Sequence, residues 1–145
     1  MTDKHNTPSE QTQPGQTAGS DTPLATATFA ARRRLPETRH SITHKFNIAG
    51  HEGYLIVGLY DDGTPGEMFF KLAKEGSTMA GLADTIGILT SLCLQHGVPV
   101  ETLANKLRDT RYEPAGETKH AGIPRATSLS DYIFRWLSLT FETTA

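Results

Sequence analysis

The chain's chemical repertoire rests on one thiol, six imidazoles and a few clustered charges. Cys93 is the only cysteine in the sequence. A catalytic thiolate wants a helix N-terminus, a cationic neighbour and some exposure. Cys93 instead follows Ile86 and Leu89 on an apolar stripe and reads as a small core hydrophobe. A lone thiol also excludes an intramolecular disulfide framework and a cysteine-built zinc site. His40 and His44 share one strand face, but four residues of strand span about 13 Å. Zinc holds imidazole nitrogens at about 2 Å, so the two read as cover for a sheet face, His51 lies in a turn, and no metal site is predicted. Asp61 and Asp62 precede Gly63, where aspartate side chains bond the backbone of a tight turn. No nucleophile elbow or Ser-His-Asp signature accompanies these residues.

Three stretches point to binding. Lys74-Glu75-Gly76-Ser77-Thr78 joins a predicted strand to a predicted helix. Backbone amides and the helix dipole at such a start attract phosphate, which makes Lys74, Gly76, Ser77 and Thr78 a candidate phosphate or nucleotide site. The second glycine and Lys-Ser/Thr order of a Walker motif are missing, and capping alone would account for Ser77. Arg32, Arg33 and Arg34, with Arg39 nearby, form a basic cluster. No recognisable aromatic platform or further basic run joins it, so nucleic acid is not expected; it reads as a solvated hinge or a docking strip for an acidic partner. Between Asp131 and Phe141, seven of eleven residues are large and apolar. A helix apolar on most sides is buried on most sides. Tyr132, Phe134 and Trp136 are therefore either a surface for a partner or second copy, or part of a central core helix.

The elements that position these residues follow from periodicity. His40 to Ile48 alternates as a half-buried strand. Residues 49–53 read as a hairpin loop, Tyr54 to Tyr60 as a central strand and 61–66 as a second turn. A third strand around Met68, Phe70 and Leu72 completes an antiparallel meander. Met79, Leu82, Ile86, Leu89 and Cys93 then mark one stripe of a helix, capped by Ser77 or Thr78 and ended by Gly97. Pro99 suits the first turn of a second helix with Val100, Leu103, Ala104 and Leu107 on its buried side. Thr110 to Thr127 holds two prolines and two glycines among six charged residues or histidines, and reads as a long loop. Ser128 with Asp131 resembles a capping box that starts the last helix. The predicted class is α+β, a small three-stranded meander followed by about three helices packed on one face.

Composition divides the chain near residue 31. Residues 1–31 hold seven threonines and three prolines with few large apolar side chains, and are predicted to form a disordered polar tail. The tail carries the net charge of −2, leaving 13 acidic and 13 basic residues in the domain of residues 32–145. That balance argues against bulk binding to nucleic acid. No apolar run approaches the roughly 20 residues that span a bilayer, and the N-terminus lacks a secretory signal, so a soluble cytoplasmic domain without a membrane partner is expected.

The run from Arg32 to Phe46, RRRLPETRHSITHKF, resembles the start of the domain near the C-terminus of adenosylcobalamin-dependent ribonucleotide reductases. Gly50-His51-Glu52-Gly53-Tyr54, Val57-Gly58-Leu59-Tyr60, Lys74 to Thr78 and Asp131 to Leu137 continue the likeness in order, over about residues 32–141. The domain is named TSCPD after a motif that Thr127-Ser128-Leu129-Ser130-Asp131 resembles, with Leu and Ser in place of Cys and Pro. The resemblance implies a link to the reduction of ribonucleotides for DNA synthesis. In that family, chemistry runs through a thiyl cysteine and a reducing cysteine pair held in a large barrel. With one cysteine, this chain is expected to be a free-standing accessory or split-off domain without reductase activity of its own. It would bind no cofactor alone, adenosylcobalamin belonging to the full-length enzyme. The partner implied is a separate reductase chain, or a second copy of the domain; the alternative is a stand-alone phosphate- or nucleotide-binding module.

Overall fold

The computed structural model describes residues 30–142, so all but the last two residues of the predicted tail lie outside the described part. Strands β1 (Ser41–Ile48) and β2 (His51–Leu59) form a hairpin closed by Ala49 and Gly50. Both turn residues have positive φ, 49° and 88°, which matches a two-residue turn to the twist of the strands. The carboxamide oxygen of Asn47 accepts the Gly50 N–H at 3.0 Å. The expected loop over 49–53 is thus shorter, because His51, Glu52 and Gly53 stay paired with β1. At the next turn Asp62 Oδ1 accepts the Thr64 N–H at 3.0 Å, the bond foreseen for an aspartate there. Strand β3 (Pro65–Leu72) then pairs antiparallel with β2.

The sheet has five strands rather than three, in the order β3-β2-β1-β4-β5. The stretch read as a long loop contains β4 (Gly116–His120) and β5 (Ile123–Ala126). This ribbon sits at the margin of the sheet, and Ile123 and Ala126 are its fully buried apolar side chains. Its other positions face water at least in part, so the apolar alternation of a half-buried strand never forms.

Helices α1 (Ser77–Gln95), α2 (Val100–Leu107) and α3 (Leu129–Thr140) complete the fold. The inward faces of β1 to β3, from Phe46 and Ile48 to Met68 and Phe70, pack with Tyr132, Ile133, Phe134, Trp136 and Leu137 of α3 in one core. Helix α2 adds Ala104 to that core and packs on α3. Of the two alternatives for the last helix, the central core helix describes α3: Tyr132, Phe134 and Trp136 are enclosed by the chain's own sheet and helices.

Helix α1 departs most from expectation. It runs beside the outer edge of β3 instead of lying on the sheet face. Ser91 Oγ accepts the Met68 N–H at 2.9 Å, and Gln95 Nε2 donates to the Gly66 carbonyl at 3.0 Å. These contacts occupy backbone groups that an edge strand otherwise presents to water. So close an approach requires small residues, and a Cβ at Gly87 would stand 2.9 Å from the Met68 carbonyl oxygen. The buried face is therefore Ala83, Gly87, Thr90, Ser91, Leu94 and Gln95. Of the predicted stripe, Leu82 and Leu89 are 54% and 58% exposed, while Met79, Ile86 and Cys93 are half-buried. The start also differs: Gly76 is the cap and no side chain bonds there. The end is as predicted, with Gly97 at φ 84° and the Val98 and Gly97 N–H groups bonded to the Cys93 and Leu94 carbonyls.

Candidate functional site

Two polar constructions stand out, both built on the first two turns of α3. The first ties the start of α3 to the end of α2. Ser128 caps α3, its hydroxyl accepting the Asp131 N–H at 2.9 Å. Asp131 is almost wholly buried, and its carboxylate accepts the N–H groups of Asp109 at 2.8 Å and Thr127 at 3.0 Å. Arg135 adds an ion pair at 3.3 Å. Burial pushes the Asp131 pKa up, but the two amides and Arg135 outweigh it and hold the group below the usual carboxylate range. Thr127 Oγ1 donates to the Thr110 carbonyl and Thr110 Oγ1 bonds Ser128 Oγ, both at 2.8 Å. Thr127, Ser128 and Asp131 thus brace the 107–110 segment. Leu129, where the motif has Cys, is a core residue, and Ser130, where it has Pro, donates its N–H to the Tyr112 hydroxyl at 2.9 Å.

The second construction is an aromatic and imidazole cluster. His44 Nε2 lies 2.8 Å from the Tyr132 hydroxyl. Its ring stacks on Trp136 with centroids 4.7 Å apart and meets His120 edge-on at 5.8 Å. Burial, then the neighbouring His120, lowers the His44 pKa below the ordinary imidazole value. Burial raises the Tyr132 phenol to about 12. The cluster borders a half-open cleft of about 230 Å³ lined by His44, Lys45, Phe46, Asn47, Glu52, Lys119, His120 and Tyr132. Periodicity assigned His44 to the sheet face but gave no sign of His120, which sits in the unforeseen ribbon. Apolar patterning marks Tyr132 either for a partner surface or for a core helix, and gives no sign of its hydroxyl, which is what the cluster uses.

The remaining predicted residues fall elsewhere. Lys74, Gly76, Ser77 and Thr78 come together, exposed, ahead of and in the first turn of α1. Glu75 between them is turned toward His51 at 3.5 Å. Of the arginine cluster, Arg34 is exposed, and the other two are attached to the domain. Arg32 donates to the Gln95 side chain at 2.6 Å, and Arg33 lies 3.9 Å over the Tyr60 ring. Arg39, close in sequence, forks onto both carboxylate oxygens of Glu67. At 19 residues α1 is long and apolar enough to cross a bilayer by length and composition, which the sequence reading did not foresee. Among the described residues, no group of three or more His, Cys, Asp or Glu gathers where a metal could be held.

The sequence profile of the TSCPD domain matches residues 26–141. The chain belongs to that family. It is 58% identical over 110 residues to a vitamin B12-dependent ribonucleotide reductase of Rhodopirellula baltica, a match covering 76% of this chain and 11% of the relative. Enzymes of the same description from Streptomyces avermitilis and Bradyrhizobium diazoefficiens are 46% and 39% identical over 110 and 111 residues. Those matches again cover 76% of this chain, and 11% and 9% of the relatives. The chain spans about a tenth of the length of these curated relatives. No solved structure matches.

The relatives' description raises the question of a corrinoid. A wide depression of about 1440 Å³ lies open between the ends of α1 and α3. Its rim is occupied by internal pairs, Arg108 with Glu101 and Arg33 with Asp62 at 3.6 Å. With its rim charges engaged in internal pairs, this depression offers no built corrinoid site among the described residues.

Proposed function

We propose that this domain is an accessory module of vitamin B12-dependent ribonucleotide reduction. It assembles with a catalytic reductase polypeptide and leaves the radical chemistry to that polypeptide. The observation that carries the reading is the inverted helix α1. Its small residues are buried against β3, and Leu82, Ile88 and Leu89 are left 54%, 59% and 58% exposed. Large apolar side chains grouped on one exposed helix mark an interaction surface rather than ordinary solvent-facing structure. Phe69 and Tyr54, on the sheet face away from the core, are exposed as well. The occupant follows from the relatives, in which a stretch homologous to this domain accounts for about a tenth of a chain described as the reductase. The catalytic body is the polypeptide that a TSCPD domain accompanies there. One half-buried thiol, Cys93, is all that this sequence offers to a reaction that in the family uses several.

The test mixes the purified protein with the catalytic chain of a B12-dependent ribonucleotide reductase from the same organism, truncated to remove any TSCPD domain of its own. Analytical ultracentrifugation should show a complex that the Leu82→Glu/Leu89→Glu variant fails to form. Absence of a complex at tens of micromolar would overturn the reading. A complex that the double variant forms equally well would remove α1 as the surface.

A further inference from the structure

Strands β1 and β4 pair at a single register position, Ile48 with Thr118, with one adjoining bond from the Ala49 N–H to the Glu117 carbonyl. Beyond Thr118, β4 bonds to itself and to β5. The Thr118 hydroxyl bonds the Ile123 carbonyl, and the His120 N–H bonds Thr118 Oγ1 at 3.1 Å. Lys119 and His120 therefore peel away from Asn47 and Phe46, the residues they would face if the ladder continued. The cleft bordered by His44, Tyr132 and His120 lies where the two strands part.

The polar groups lining that cleft are predominantly donors. His120 Nδ1 accepts the Gly122 N–H at 3.0 Å, which leaves the proton of a neutral ring on Nε2. Asn47 uses its carboxamide oxygen on Gly50, so its amide hydrogens remain to donate. Lys119 makes no ion pair among the described residues. The one carboxylate of the lining, Glu52, is paired with Lys45 at 3.5 Å. Phe46 and Tyr132 border the cleft but are almost wholly buried, their rings packed on each other at 5.5 Å.

From this arrangement we propose that the cleft between β1 and β4 binds an oxyanion, a phosphate or phosphoryl group held by His120, Lys119 and Asn47. An anion would accept from three side chains that lack an acceptor and would meet no unpaired carboxylate. The site is independent of the α1 surface.

The test is an NMR titration of the isotopically labelled full chain with inorganic phosphate and, separately, with ribonucleoside monophosphates. Saturable shifts should centre on residues 44–47 and 118–122. The surface variant Lys119→Ala should weaken binding about tenfold, and His120→Gln should do likewise. Comparable affinity for both probes assigns the site to free phosphate; tenfold preference for a nucleotide assigns it to a phosphoryl group carried on a nucleoside. No saturation by either probe in the millimolar range would overturn the proposal. Shifts centred on residues 75–79, or binding undiminished in Lys119→Ala, would do the same.

Discussion

Asp131 accepts the backbone N–H of Asp109 through a carboxylate oxygen at 2.8 Å, across 22 residues of sequence. The other oxygen takes the Thr127 N–H and Arg135, so one buried side chain fixes where α2 ends and α3 begins. Asp131→Ala strands two amides, and stability should fall by about 3 kcal/mol. Asp131→Asn keeps one acceptor oxygen and should cost about half as much. Urea denaturation of the three proteins measures both differences.

The same carboxylate sets an acid limit. Its folded pKa lies below the usual range, while an aspartate in the unfolded chain titrates near about 3.9. The stabilisation is complete above the unfolded value and disappears as pH falls through the lower folded one. Denaturation midpoints between pH 5 and 2 should fall more steeply for the natural protein than for Asp131→Asn.

His44 gives a second pH dependence, centred nearer neutrality. Its folded pKa is depressed by burial and by His120, whereas the unfolded imidazole titrates near about 6.5. Stability is therefore greatest above that value and declines as pH falls through the folded pKa. His44→Gln removes the titration and should flatten the stability profile between pH 7 and 5.

Gly87→Ala separates two opposed effects. Alanine favours an exposed helix interior by about 1 kcal/mol over glycine. The new methyl group would stand 2.9 Å from the Met68 carbonyl oxygen, and overpacking of this kind costs about 1–3 kcal/mol. The contact is with backbone, so the clash should dominate and the melting temperature should drop. The exposed Gly81, whose added Cβ meets nothing within 4 Å, should respond in the opposite direction to the same substitution.

The outer face of α1 should tolerate what its inner face does not. Leu89→Gln, at an exposed site, should change stability by less than about 0.5 kcal/mol. Ala83→Leu, pressed into the core, should destabilise by about 1–3 kcal/mol. Thermal melts of the two variants compare the faces directly.

These contrasts show which parts of the fold can be read from sequence. Strands β1 to β3 alternate because one face meets α3, and α1 ends where Gly97 supplies positive φ. The side of α1 that is buried could not be found by periodicity. An apolar stripe predicts burial when a helix lies on a sheet face, but a helix against a strand edge buries whatever is small enough to approach. Gly87 and Ser91 meet that need, and Leu89 does not. The ribbon of β4 and β5 went unseen because its partners are backbone groups and its side chains are mostly polar. His120 entered the cluster by that route. Asp131 was legible as a cap, but its two long-range amide partners depend on where α2 comes to rest.

Sealing of the β3 edge by α1 has a bearing on self-assembly. At the far margin of the sheet, β5 is four residues long and carries Pro124, which has no N–H to offer a neighbouring strand. The two outermost strands are thereby poor templates for adding a strand from another molecule. At those two strands, contacts with other proteins fall to side chains rather than to backbone pairing. Fragments lacking residues 77–95 would lose that protection, since the N–H of Met68 and the carbonyl of Gly66 would be open to any passing strand.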